Sequence, residues 1–232
     1  DIIPDGIGAE LRVVVPEPLR LDPPREELAF SPGVIPALYQ IVVDLVKPDH
    51  GKVLTMTPAY GFFLHACEYN GVELVTSPLR KVEGWFEMDW EDFRRKVADP
   101  AVRVLMLCNP HNPTGRVWTR QELEGVAEIC LRHNIFMLVD EIHCDFVPPE
   151  HPHTTFGLLG EEVLRHSMVC YSSNKGFNLG GLGMATLVLA DDDLRCKFNE
   201  EMSIAQTRLD NIFGMAALIA AYNDGEECLD QA

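Results

Sequence analysis

Short apolar runs alternate with helical patterns along most of this 232-residue chain, and that alternation restricts its fold more than any other feature. The runs are VLTMT (53–57), VELVT (72–76), VRVLMLC (102–108), FMLVD (136–140), MVCYSS (168–173) and ATLVLA (185–190). Several are apolar on both faces, as a strand must be when its sheet is covered on both sides. Between them, residues 35–46 set Leu38, Ile41, Val42 and Leu45 on one helical face. Residues 89–98 open with Asp89, a natural N-cap, and carry Trp90, Phe93 and Val97 on one stripe. TRQE (119–122) is a capping box, followed by Leu123, Val126, Ala127 and Cys130 at helical spacing. Residues 191–203 and 207–222 predict two more helices. Strands and helices in this order imply an α/β fold of three layers, α/β/α, around an open and mostly parallel sheet. Residues 1–29 are proline-rich and without sustained period, so they are expected to be an irregular N-terminal segment, with the main domain spanning 30–232.

Composition agrees with a large buried core, at 47% apolar residues. The 19 basic and 36 acidic residues leave a formal charge of −17, the wrong sign for a phosphate backbone, so no nucleic-acid partner is expected. No apolar run is long enough to span a bilayer, and no membrane association is expected. The seven cysteines form no CxxC pair, and Cys108, Cys130 and Cys170 fall in apolar runs. Buried free thiols and a reducing, cytoplasmic setting follow as expectations.

In open α/β sheets ligands bind beyond the C-terminal ends of the strands, which makes the residues after each run the ones to inspect. After 102–108 comes NPHNPTG (109–115), a stiff turn that can present the Asn112 amide. After 136–140 comes DEIHCDF, in which Asp140 closes an apolar strand. A carboxylate so placed needs a cation. A metal held by Asp140, Glu141, His143 and the HPH of 151–153 is one candidate, but its spacing matches no standard ligand set and no metal is expected. A protonated heterocycle is the other. After 168–173 comes Lys175, an isolated amine among small residues with Ser172 three positions before it. Such a lysine suits Schiff-base chemistry. SPG (31–33) leads into a helix whose Gly33 and Val34 amides make an anion site. TPAY (57–60) puts the Tyr60 ring just past a strand, where it can stack on a planar ligand. An amine for an aldehyde, a carboxylate for a ring N–H⁺, an amide for a ring hydroxyl, an aromatic face and a phosphate cradle together describe pyridoxal 5′-phosphate.

The order SPG, PAY, NPHNPTG, DEIH and SSNK resembles the fold-type I pyridoxal-phosphate enzymes of the aminotransferase class I/II superfamily. FSPGVIPAL, LCNPHNPTGRVWTRQEL, LRHN, DEIHCDF, HPHTTF and NKGFNLGGL look like its cystathionine β-lyase, or C–S lyase, branch. The resemblance runs from about Phe30 to Leu229. It implies that Lys175 bonds the cofactor aldehyde and moves the substrate Cα proton, and that Asp140 pairs with the pyridine nitrogen. It further implies Asn112 at the phenolic oxygen with His143 nearby, Tyr60 on the ring, and Gly33, Val34 and Ser172 at the phosphate. Asn174 departs from the family, which often has serine immediately before the lysine. The family's small domain, with the arginine that binds the substrate carboxylate, is expected to be largely absent from this chain. The implied function is β-elimination from cystathionine or related cysteine S-conjugates, giving a thiol, pyruvate and ammonia. An aminotransferase and a truncated, non-catalytic binding or regulatory protein are the alternatives. The partners implied are a small amino-acid substrate and, as a homodimer, a second copy of the chain.

Overall fold

The computed structural model describes residues 23–148, 150–207 and 211–230. In chain order, β1 (Leu28–Ser31) leads through a Pro-Gly turn into α1 (Val34–Leu45). Next come β2 (Lys52–Thr57), α2 (Gly61–Asn70) and β3 (Glu73–Pro78), then the hairpin strands β4 (Arg80–Val82) and β5 (Trp85–Glu87). The middle of the chain supplies α3 (Trp90–Val97), β6 (Val102–Cys108), α4 (Arg120–Arg132) and β7 (Phe136–Asp140). After it come α5 (Glu161–Arg165), β8 (Ser167–Tyr171), the one-turn α6 (Ser173–Gly176) and β9 (Ala185–Val188). The last elements are α7 (Asp192–Ile204), α8 (Ile212–Asp224) and α9 (Glu226–Asp230).

Seven strands form one sheet in the order β1-β9-β8-β7-β6-β2-β3. The run from β8 to the edge strand β3 is parallel throughout, while β9 is antiparallel to both β8 and β1. Alternation along the strands divides the core into two layers. Leu105, Leu107, Met137, Val139, Val169 and Tyr171 pack with Phe93, Leu123 and Val126 of α3 and α4. Val104, Met106, Cys108, Leu138, Met168 and Cys170 pack with Leu38 and Ile41 of α1, Phe63 of α2 and Phe198 of α7. Burying one such side chain contributes about 1.5–3 kcal/mol, so both layers are needed to hold the sheet. This is the expected three-layer α/β/α arrangement.

The helix starts follow their local chemistry. Asp89 accepts from the amide of Asp92, and Thr119 and Glu122 form the complete reciprocal capping box. Some sequence expectations need correction. The irregular N-terminal segment does not extend to residue 29, because Leu28–Ser31 is already a sheet strand pairing with β9. The rest of that segment, residues 1–22, lies outside the described residues, as do residues 208–210 of the helix expected at 207–222, which begins at Ile212. Helix α2 and the β4–β5 hairpin went unread. In α2 the buried stripe is short, Phe63, Ala66 and Cys67, and the exposed apolar neighbours Phe62 and Leu64 mask its period.

Candidate active site

The strand ends of β6, β7 and β8 open into one crevice with the start of α1. Gly33, Val34, Tyr60, Asn112, Asp140, His143 and Lys175 all line it, around a volume of about 250 Å³. They come from five separate segments of sequence. Ser172 is the expected residue that the fold does not bring to the crevice lining. Its hydroxyl donates to the carbonyl of Met184 and accepts from the Asn174 amide, so it is spent on capping α6. Its expected phosphate role therefore has no free hydroxyl behind it. Asn174, by contrast, lines the crevice, and its Oδ1 is buried without a hydrogen-bond partner.

Each wall has a local cause. Gly33 sits at φ 135, ψ 167, a backbone geometry that a side chain makes costly, and it is the N-cap of α1. No side chain caps that helix, which leaves its first-turn amides open toward the crevice. Tyr60 occupies the N-cap position of α2, with its ring edge-on to Phe63 at 5.9 Å and tilted against Phe62 at 5.4 Å. Lys175 lies in α6, directly before Gly176. A Cβ at Gly176 would come within 2.7 Å of a carboxylate oxygen of Asp145, so the glycine lets α6 pack closely and carry the lysine to the crevice.

The electrostatics centre on Asp140. Its residue is 3% exposed, and its Oδ1 accepts from the amide of Ile142 at 3.1 Å. Cys108 and Cys170 are its register partners on the two neighbouring strands, both fully enclosed in the apolar layer. Burial pushes the carboxyl up to about 7, the Ile142 amide and the Lys175 ammonium pull it back, and the Glu141 charge adds to the rise. Among the described residues Asp140 has no ion pair, and Lys175 makes no side-chain hydrogen bond. His143 is held below the ordinary imidazole range by burial and then by the Lys175 charge, so it is a neutral ring at pH 7. Burial also raises the Tyr60 phenol, which stays protonated.

A buried carboxylate lacking a cation, beside an unengaged amine, fits a ligand that brings its own N–H⁺ and an aldehyde. The ring of Tyr60, the Asn112 amide and the open α1 amides supply the remaining contacts that pyridoxal 5′-phosphate requires. The alternative metal set is divided by the fold. Asp140 and His143 face the crevice, Glu141 is bonded to His153, and His151 lines a different pocket.

Sequence reasoning grouped Glu141 with the histidines of 151–153 only as metal ligands, and missed the hydrogen-bonded cluster that Glu141 and His153 belong to at the same strand ends. Glu141 is fully buried; its Oε1 accepts from Asn109 Nδ2 and the Phe156 amide, both at 2.8 Å. Its Oε2 contacts Thr155 Oγ1 at 2.6 Å and His153 Nε2 at 3.2 Å. Thr155 Oγ1 also hydrogen-bonds the Tyr171 hydroxyl. The signal was available in the strand period: 138 and 140 share one face of β7, and 139 the other, to which Glu141 belongs if the period runs one residue past the strand.

Comparison with known proteins is consistent with this geometry. A model of the family described as aminotransferase class I and II matches residues 19–228. The cystathionine beta-lyase PatB of Bacillus subtilis is 36% identical over 206 residues, 89% of this chain and 53% of PatB. The pyridoxal-phosphate-bound C–S lyase of Staphylococcus hominis superposes with a TM-score of 0.89 at 28% identity, over 100% of this chain and 57% of that one. Cystalysin from Treponema denticola, whose structure contains pyridoxal 5′-phosphate, superposes with a TM-score of 0.91 at 24% identity over 98% of this chain and 58% of its own, a likeness of fold. The chain spans about half the length of the curated relatives it matches.

Proposed function

This chain belongs to the aminotransferase class I and II family, and from that membership we propose that it is the cofactor-binding part of a pyridoxal 5′-phosphate-dependent carbon–sulfur β-lyase. The observation that carries the proposal is the pairing, in one crevice, of a buried carboxyl raised to about 7 with an amine free of hydrogen bonds. When bound, the cofactor supplies an electron sink for the carbanion formed at the substrate Cα. The protein's residues do the rest. Asp140 would hold the proton on the ring nitrogen and keep the ring cationic. Lys175 Nζ would anchor the aldehyde and is placed to accept the Cα proton. Asn112 would donate to the phenolic oxygen, beside His143. Tyr60 would cover the ring face, and the Gly33 and Val34 amides would receive the phosphate at the start of α1. The Asn174 amide can be turned so that its NH₂ meets the phosphate in place of the family's serine.

With cystathionine as substrate, Lys175 would take the Cα–H proton, and the electron pair left at Cα would form a Cα–Cβ double bond as the Cβ–S pair departs with the thiolate. Water would then hydrolyse the released enamine, by way of its imine tautomer, to pyruvate and ammonia. The PatB likeness and the C–S lyase fold support this choice over transamination, which begins with the same proton transfer. We further place the protein as a homodimer in a reducing, cytoplasmic compartment. The second part of that proposal is supported by five buried and two exposed thiols, none of them paired. The test is product analysis of the chain supplied with pyridoxal 5′-phosphate and cystathionine. Pyruvate and a free thiol are expected. Amino transfer that requires a keto acid and yields no pyruvate contradicts the lyase assignment.

A further inference from the structure

We propose that Glu141 is a positioning residue that locks three strand ends together, so that Asn112, Asp140 and Lys175 meet one ligand in register. This rests on the pyridoxal-phosphate reading of the crevice. Glu141 itself does not line the crevice. It continues β7 on the face opposite Asp140, where the strand period sends it into the layer beneath α4.

Its partners reach two further strand ends, that of β6 directly through Asn109 and that of β8 through Thr155. Asn109 directly follows β6 and opens the turn that carries Asn112 three residues later. Tyr171 is the last residue of β8, and the next residue, Ser172, caps the turn that carries Lys175. Thr155 joins Tyr171 to Glu141, and the Phe156 amide fixes the 153–156 segment over both. Glu141 and Asp140 are adjacent, so anchoring one limits the rotation of the other about the strand end. Backbone bonds run the same way: the Asn109 amide donates to the Asp140 carbonyl at 2.9 Å and the Glu141 amide to the Cys170 carbonyl at 2.9 Å.

A fully buried carboxylate is costly, and apolar side chains of that size would hold the layer at less cost. What the carboxylate adds is direction. It accepts four donors from two segments, Asn109 and residues 153–156, along defined lines, and packing alone cannot impose that registry. An amide in its place would turn an NH₂ toward Asn109, the Phe156 amide, Thr155 or His153, each of which acts as a donor to Glu141.

The experiment compares the chain with its Glu141→Gln and Phe93→Leu variants, the latter a core change in α3, a helix that contributes no residue to the crevice lining. Three quantities are read: the melting midpoint without cofactor, the dissociation constant for pyridoxal 5′-phosphate, and the fraction of cofactor fixed to Lys175 by borohydride. Both variants should melt lower. Only Glu141→Gln should weaken cofactor binding, by about tenfold, as removal of a partner behind a metal ligand does, and lower the fixed fraction. Cofactor affinity that is unchanged, or that falls equally in the two variants, overturns the inference and makes Glu141 a stability residue alone. If Glu141→Gln does not fold, Thr155→Val removes one donor and should shift the same two cofactor readouts in the same direction. A parent chain that fixes no cofactor on Lys175 fails differently: it refutes the pyridoxal-phosphate reading, and the inference with it.

Discussion

Asp140 and Glu141 stand next to each other at one strand end, and both are carboxyls with almost no exposure. Their surroundings are opposite. Glu141 is closed, with four donors on its two oxygens. Asp140 is open: one backbone amide on one oxygen, thiol-bearing strands on both sides, and a crevice in front. The strand period alone sends them to different faces. The difference separates two uses of a costly buried charge. The satisfied carboxylate holds backbone segments in place, and the under-satisfied one has its proton affinity raised until a cationic ligand can restore it.

The largest effect should come from breaking the closed side. Glu141→Ala leaves Asn109, Thr155, His153 and the Phe156 amide without their acceptor, and should cost about 3–5 kcal/mol of unfolding free energy, read by urea denaturation of the apoprotein. Truncating the open side should do the reverse. Asp140→Ala should lower cofactor-dependent turnover by about 10²–10³ while leaving apoprotein stability equal or higher. Equal destabilisation by the two alanine variants would erase the contrast.

A smaller, pH-dependent effect sharpens it. The folded Asp140 carboxyl titrates at about 7 against an ordinary value of 3.8. Between those values the folded state keeps a proton that the unfolded state has lost, so this group makes stability fall as pH rises from about 4 to about 7 and level off above. Asp145, pushed up to about 6 mainly by burial, adds to the same trend. Asp140→Asn should remove its share of the slope, so the variant's stability advantage grows across that window and is greatest near pH 8. A parallel pair of stability–pH curves would show that Asp140 is not desolvated as described. The smallest effect is remote: Thr119→Ala opens the α4 capping box and should cost about 1 kcal/mol with no change in cofactor affinity.

Much of this contrast was legible in the amino-acid sequence, for physical reasons that also mark where it stopped. Val102–Cys108 and Phe136–Asp140 were readable to the residue because strands buried on both faces are mostly apolar runs, broken here only by Arg103 and the terminal Asp140. Asp140 and Lys175 stood out because each ends or follows such a run with the wrong polarity. Ser172 was misdirected because a short serine beside a helix start has two equivalent uses, cap or ligand, and only the position of the Met184 carbonyl separates them. The Glu141 network was hidden because its members, Asn109, His153, Thr155 and Tyr171, are ordinary residues spread over 63 positions, and only strand pairing brings them together.

The central claim is that the open carboxyl and the free amine hold one cofactor between them. The direct measurement is borohydride reduction of the chain mixed with pyridoxal 5′-phosphate, followed by peptide mass analysis, for the parent and for Lys175→Ala. The account predicts one stable pyridoxyl adduct on the peptide containing Lys175, absent from the variant. An adduct scattered over the surface lysines, or retained at full yield in Lys175→Ala, would contradict it.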